Sequence, residues 1–176
     1  MITIVFMAVG ILLIVFQTTI LQDLPGNFGR PDIIYLLVAF AAYRFAWLPG
    51  IILSFTVGWI FDVLIGVNLG VYPLECMFVF CCLKIVATNS PIRSSAYEIP
   101  LVGVSYFLLQ MLVFFFSSLT IPENLPEWSW GRIIQDTFLL VLAAIPSFLL
   151  FNSLYQYLED RAKRSKPARR HSVRQK

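Results

Sequence analysis

A chain of 176 residues with 59% hydrophobic side chains, 13% charged ones and a mean hydropathy of +0.79 has more apolar surface than one soluble core of that size could hide. Such a composition excludes an ordinary soluble domain and points to an integral membrane protein of all-α architecture. The formal net charge of +3 is concentrated at one end: the last 16 residues, RAKRSKPARRHSVRQK, hold eight Lys or Arg and no acid.

Six apolar runs lie between punctuating loops, each near the ~20 residues that a bilayer span needs. The first runs from Ile2 to Leu21. It lacks a basic leading region and a small-x-small cleavage site, so it is expected to be a retained helix and not a signal peptide. QDLPGNFGRPD then forms a surface turn, and the second run lies between Pro31 and Pro49. It holds 17 residues between its prolines, about 25 Å of helix, which is short for a bilayer. The third run is Gly50 to Val67 and the fourth runs from about Gly70 to Val86, joined by GVNLG, which suits a tight hairpin or one broken segment. The fifth is about Tyr97 to Leu119, the sixth about Trp130 to Leu158, with TNSPIRSS and IPENLPEWSWG as the intervening turns. The expected organisation is therefore a bundle of about six transmembrane helices, with five as the alternative, over residues 1–160, then a disordered basic tail over 161–176.

Basic residues orient the bundle. The tail is expected in the cytoplasm, and with six spans the amino terminus joins it there. Arg44, Lys84 and Arg93 then fall in cytoplasmic turns, leaving only Arg30 and Arg132 outside, while Trp128 and Trp130 supply an interfacial aromatic anchor. In this topology the polar residues of the spans gather toward the outer side: Gln17, Thr18, Thr19, Asp62, Glu75, Gln110, Gln135 and Asp136. Glu75, Gln135 and Asp136 also fit plain headgroup-level positions. The remainder should face one another, water or a partner, because an ionised carboxylate exposed to lipid costs ~2.5–3.5 kcal/mol on insertion scales.

Gly50, Ser54, Gly58, Asp62, Gly66 and Gly70 recur at every fourth position, which keeps them on one slowly rotating helical face. Small residues there admit another backbone closely, so the stripe reads as a packing seam, within the monomer or toward a partner, with one carboxylate in it. Asp62 is expected to find a donor such as Gln17, Gln110 or Arg132, or a partner's group.

RPDIIYLLVAFAAYR followed by GIILSFTVGWIFDVLIGVNLGVYPL resembles the rod shape-determining MreD family of small bacterial inner-membrane proteins, on Pro31, Asp32, Phe55, Gly58, Asp62, Gly66, Leu69 and Gly70. The resemblance implies a non-enzymatic adaptor of the cell-elongation machinery, working with MreC, MreB and the RodA glycosyltransferase with its penicillin-binding partner in sidewall peptidoglycan synthesis. Its implied contact surfaces are those eight positions as a partner-binding or packing seam, and an outer polar pocket of Gln17, Glu75, Gln110, Arg132 and Asp136. The family is likened in fold to the substrate-binding subunits of energy-coupling-factor transporters, which gives the alternative of a vitamin-type transport subunit. Against that alternative, the first span lacks an Ala-x-x-x-Ala seam, since Ala8 is followed by Leu12.

Catalysis finds little support. The single histidine, His171, lies in the tail, which removes a Ser-His dyad and a His-based zinc site from the membrane region. Cys76, Cys81 and Cys82 have no metal-like partner spacing and read as reduced packing residues. Asp62 and Asp136 lack the flanking motifs of intramembrane aspartyl proteases. No cofactor is expected. The tail has no interleaved aromatics for nucleic acid, and its expected partners are anionic lipids at the membrane surface.

Overall fold

The computed structural model describes residues 2–19, 31–65, 70–89, 98–120 and 130–164. They form six α-helices and, among the described residues, no strand: α1 (Ile2–Thr19), α2 (Ile33–Arg44), α3 (Trp47–Ile65), α4 (Val71–Asn89), α5 (Glu98–Thr120) and α6 (Trp130–Arg164). A helix lies in each expected run, and among the described residues five helices are long and apolar enough to cross a membrane. The exception is α2, whose 12 residues make ~18 Å of helix.

The second expected boundary moves for a physical reason. Pro49 does not end a segment; it lies in the first turn of α3, where a missing N–H leaves no helical bond unmade. The chain breaks earlier, at Phe45, which is extended (φ −92°, ψ 155°) and returns its N–H to the Ala41 carbonyl. At the other end α6 continues past Leu158 to Arg164, so the first residues of the basic segment are helical. There Lys163 meets Glu159 one turn back at 2.8 Å, and that bond holds its ammonium above the ordinary lysine range.

Helices successive in the chain alternate in direction, so α2, α4 and α6 run parallel to one another. Phe6 near the start of α1 packs on Phe40 and Phe45 near the end of α2 and on Tyr155 far along α6. Nine of the twelve α2 residues are buried, and α1, α3, α4 and α6 all pack around it. A helix apolar on every side belongs in the middle of a bundle, where neighbours and not lipid solvate it. The outward surfaces of the other helices remain apolar, with Ile52, Phe55, Trp59 and Val63 of α3 exposed, as a lipid-facing surface requires.

Candidate functional site

Three helix ends meet at one end of the bundle. Asp32 is the N-cap of α2: its Oδ1 accepts the Tyr35 N–H at 3.1 Å, and its backbone carbonyl accepts the Leu36 N–H at 3.4 Å. Gln17 of α1 completes the cap. Its Nε2 donates to Asp32 Oδ1 at 3.3 Å, while its Oε1 accepts the Ile33 and Ile34 N–H groups at 3.1 and 3.4 Å. From α4, Tyr72 donates its hydroxyl to Asp32 Oδ2 at 2.7 Å. Three helices thus converge on one carboxylate, and each of its two oxygens has a side-chain donor.

Next to this cap lies the α3–α4 hairpin. Gly50, Ser54, Gly58 and Asp62 are all buried and face α4. A Cβ on Gly58 would lie 2.8 Å from the Pro73 Cα, and one on Gly50 would lie 2.3 Å from the Phe80 ring, so only the bare backbone fits at this approach. Ser54 is fully buried and returns its hydroxyl to the Gly50 carbonyl at 2.9 Å. The first four residues of the small-residue stripe therefore form an internal seam against α4. Phe55 lies off it and is 44% exposed, stacked at a tilt on Trp59; Gly66 and Leu69 lie outside the described residues.

Asp62 closes the hairpin. It is 7% exposed, and its Oδ2 accepts the backbone N–H of Gly70 across the turn. Gly70 has φ +98°, a left-handed conformation that glycine adopts without a side-chain penalty. The sequence-based expectation of Gln17, Gln110 or Arg132 as the donor is thus corrected: Gln17 is engaged by Asp32, Gln110 donates to the Tyr106 hydroxyl at 2.9 Å, and Arg132 is exposed on α6.

The expected outer pocket is only partly assembled. Gln17 is in the cap, and Glu75, half-buried on α4, lies within electrostatic reach of Asp32 and Asp62. Gln110 extends the polar region along α5 through Tyr106, which Asp136 of α6 also influences. Tyr106 packs edge-on against Tyr35 of α2 at 5.0 Å. Tyr35 donates its hydroxyl to Ser105 at 2.6 Å, since the Ser105 proton is already given to the Val102 carbonyl. Tyr72 and Tyr106 are what the sequence did not single out; Asp32 stood out only as a position of the resemblance, although an Asp immediately before an apolar run is an N-cap signal. Among the described residues, no group of three or more His, Cys, Asp or Glu could hold a metal ion.

At the opposite end of α2, Lys84 of α4 donates its ammonium to the Phe45 carbonyl at 2.6 Å, and Arg44 lies 3.7 Å from Glu98 of α5. Tyr43 buries its hydroxyl there without a hydrogen-bond partner among the described residues.

No protein-family model matches the chain, and neither a curated protein nor a solved structure matches it.

Proposed function

We propose that this chain is a non-enzymatic adaptor of the MreD type in the bacterial cytoplasmic membrane, with both termini in the cytoplasm. It would couple an MreC-like periplasmic coiled-coil protein, and through it MreB and the RodA synthase with its penicillin-binding partner, to sidewall peptidoglycan synthesis. The observation that carries the reading is the convergence of positions bearing the resemblance. Asp32, Gly58, Asp62 and Gly70 are spread over 39 residues of sequence, yet each makes a specific contact where α2, α3 and α4 meet. A short, tightly keyed bundle suits a protein that presents surfaces to partners.

Capture of the tagged chain from mild detergent, with identification of whatever comes with it, tests the proposal. Recovery of a bitopic protein with a periplasmic coiled coil supports the adaptor. The transport-subunit reading has one feature in its favour: the polar groups around Tyr106 and Gln110 are recessed, because α5 continues ten residues, ~15 Å, past Gln110. A stoichiometric vitamin-like molecule in the same preparation would favour that reading, and capture of neither overturns the adaptor.

A further inference from the structure

The bundle is flush at one end and uneven at the other. Around Phe45 the helices share one height: Tyr155 of α6 packs on its ring at 5.7 Å, Lys84 of α4 donates to its carbonyl at 2.6 Å, and α3 begins just after it at Trp47. From there the α3–α4 hairpin rises ~27 Å along α3 to Ile65, and ~20 Å along α4 from Lys84 back to Val71. Its turn is held at that height because Asp62 accepts the Gly70 N–H across it. On the other side of the bundle α6 rises ~37 Å from Tyr155 to Trp130, and α5 runs ~33 Å from Glu98, the partner of Arg44, to Thr120.

The taller side is apolar well past the height of that turn. Ile134, Phe138, Leu142, Ile145 and Leu149 are exposed and fall within about 80° of one another around α6, in a stripe ~22 Å long. Ile134 stands ~31 Å above Tyr155, which matches the ~30 Å hydrocarbon thickness of a bilayer. A flat bilayer of that thickness would also submerge the top of the α3–α4 hairpin. The last carbonyls of α3 and the first N–H groups of α4 have no partner within their own helix, and hydrocarbon supplies none. A flat bilayer thin enough to free them would instead leave Ile134 and Phe138 in water. Only an uneven lipid surface suits both sides, and acyl chains compress at modest cost.

We propose that this protein steps the bilayer around it: the leaflet at the Asp62–Gly70 end sinks by roughly 5–10 Å beside the α3–α4 hairpin and keeps its ordinary depth beside α6. The ends of α3 and α4 are then a rim that holds phospholipid with shortened chain extension, its headgroups drawn down to the turn. The step rests on helix heights alone, so it is independent of the adaptor reading and of the orientation of the chain.

The test measures depth with single nitroxide labels on the full chain in phosphatidylcholine vesicles, from collision with oxygen against a water-soluble nickel chelate. Cys81 and Cys82 are replaced by alanine, and Cys76 is kept because it is buried. One pair of labels, at Val63→Cys and Phe138→Cys, lies ~24 and ~25 Å above the flush end on α3 and α6. A second pair, at Ile52→Cys and Leu149→Cys, lies ~8 and ~9 Å above it on the same helices. The upper pair should differ in depth by at least ~4 Å, with the Val63 site nearer the surface, and the lower pair by less than ~2 Å. The upper difference should shrink in bilayers of shorter acyl chains and grow in longer ones. All four side chains are exposed, so folding should be retained, which matched elution on size exclusion verifies; Leu64→Cys, one residue on and also exposed, repeats the upper measurement. Equal depths in the upper pair, or a deeper Val63 site, would overturn the proposal. So would a difference of one size in both pairs, which is a tilt of the whole bundle in a flat bilayer.

Discussion

Replacing Asp32 by alanine removes the N-cap of α2 and the acceptor shared by Gln17 and Tyr72. Loss of the cap itself costs ~1 kcal/mol. The Tyr72 hydroxyl and the Gln17 amide are then left without an acceptor inside the bundle, at roughly 1–3 kcal/mol for each buried group that stays unpaired. Gln17 keeps its bonds from Ile33 and Ile34, so its share falls at the low end. Asp32→Ala is expected to destabilise by about 3–5 kcal/mol. Asp32→Asn keeps a capping oxygen for the Tyr35 N–H and can donate its amide to Tyr72, so about 1 kcal/mol is expected. Tyr72→Phe should cost about 1–2 kcal/mol. Unfolding by SDS in mixed micelles, followed by the fluorescence of the chain's four tryptophans, measures all three. Asp32→Ala no worse than Asp32→Asn would refute the capping argument. Additivity of Asp32→Ala with Tyr72→Phe would separate the two residues, because partners in one network must couple.

Gly58→Ala should destabilise by about 1–3 kcal/mol in the same assay, because its Cβ meets the Pro73 backbone, which cannot rotate away; Gly58→Leu should abolish the folded monomer on size exclusion. Lys84→Met should loosen the α2–α3 break by leaving the Phe45 carbonyl unpaired, read as faster hydrogen exchange at residues 43–47 than in wild type. Asp62→Leu should lower both membrane protein level and partner recovery, and Asp62→Asn should be mild, since an amide oxygen can still accept the Gly70 N–H. A reporter fused after Lys176 should be cytoplasmic, and an external one would overturn the proposed orientation.

The small-residue stripe was legible because its period is local: every fourth residue falls on one face, and Gly50, Ser54, Gly58 and Asp62 do line one seam. What that seam faces was not legible, since period alone does not distinguish α4 from a partner. The length of α2 was hidden as well. The apolar pattern runs on through Phe45, Ala46 and Trp47 without a breaker, and the turn there is secured by Lys84, 39 residues further along the chain. Asp62 stood out in the sequence as an acid inside a span, whereas Asp32 looked like part of a polar loop. In the folded chain their prominence reverses: Asp62 has one described hydrogen-bond donor, a backbone N–H, and Asp32 has three, from α1, α2 and α4. Charge next to proline and glycine reads as surface until a short helix carries it inward.

The shortness of α2 explains why polar side chains must sit inside this bundle at all. A helix long enough to reach both membrane surfaces can leave its terminal backbone groups to water and headgroups, but α2 ends after ~18 Å, against ~27 Å for α1. Its first N–H groups therefore need acceptors within the protein: Ile33 and Ile34 find Gln17, Tyr35 finds the Asp32 carboxylate, and Leu36 finds the Asp32 carbonyl. The chain leaving its far end needs a donor, and Lys84 supplies it to Phe45. The residues that serve both ends come largely from other helices, so α2 is satisfied at one depth and in one direction only; sliding it by a turn would strand the Ile33 and Ile34 N–H groups and the Phe45 carbonyl in an apolar interior. Lipid solvates any apolar helix face equally well and cannot fix such a position by hydrophobicity. In this bundle the placement of the central helix is specified by Gln17, Asp32, Tyr72 and Lys84, and the glycine seam beside them fixes how closely α3 and α4 hold it.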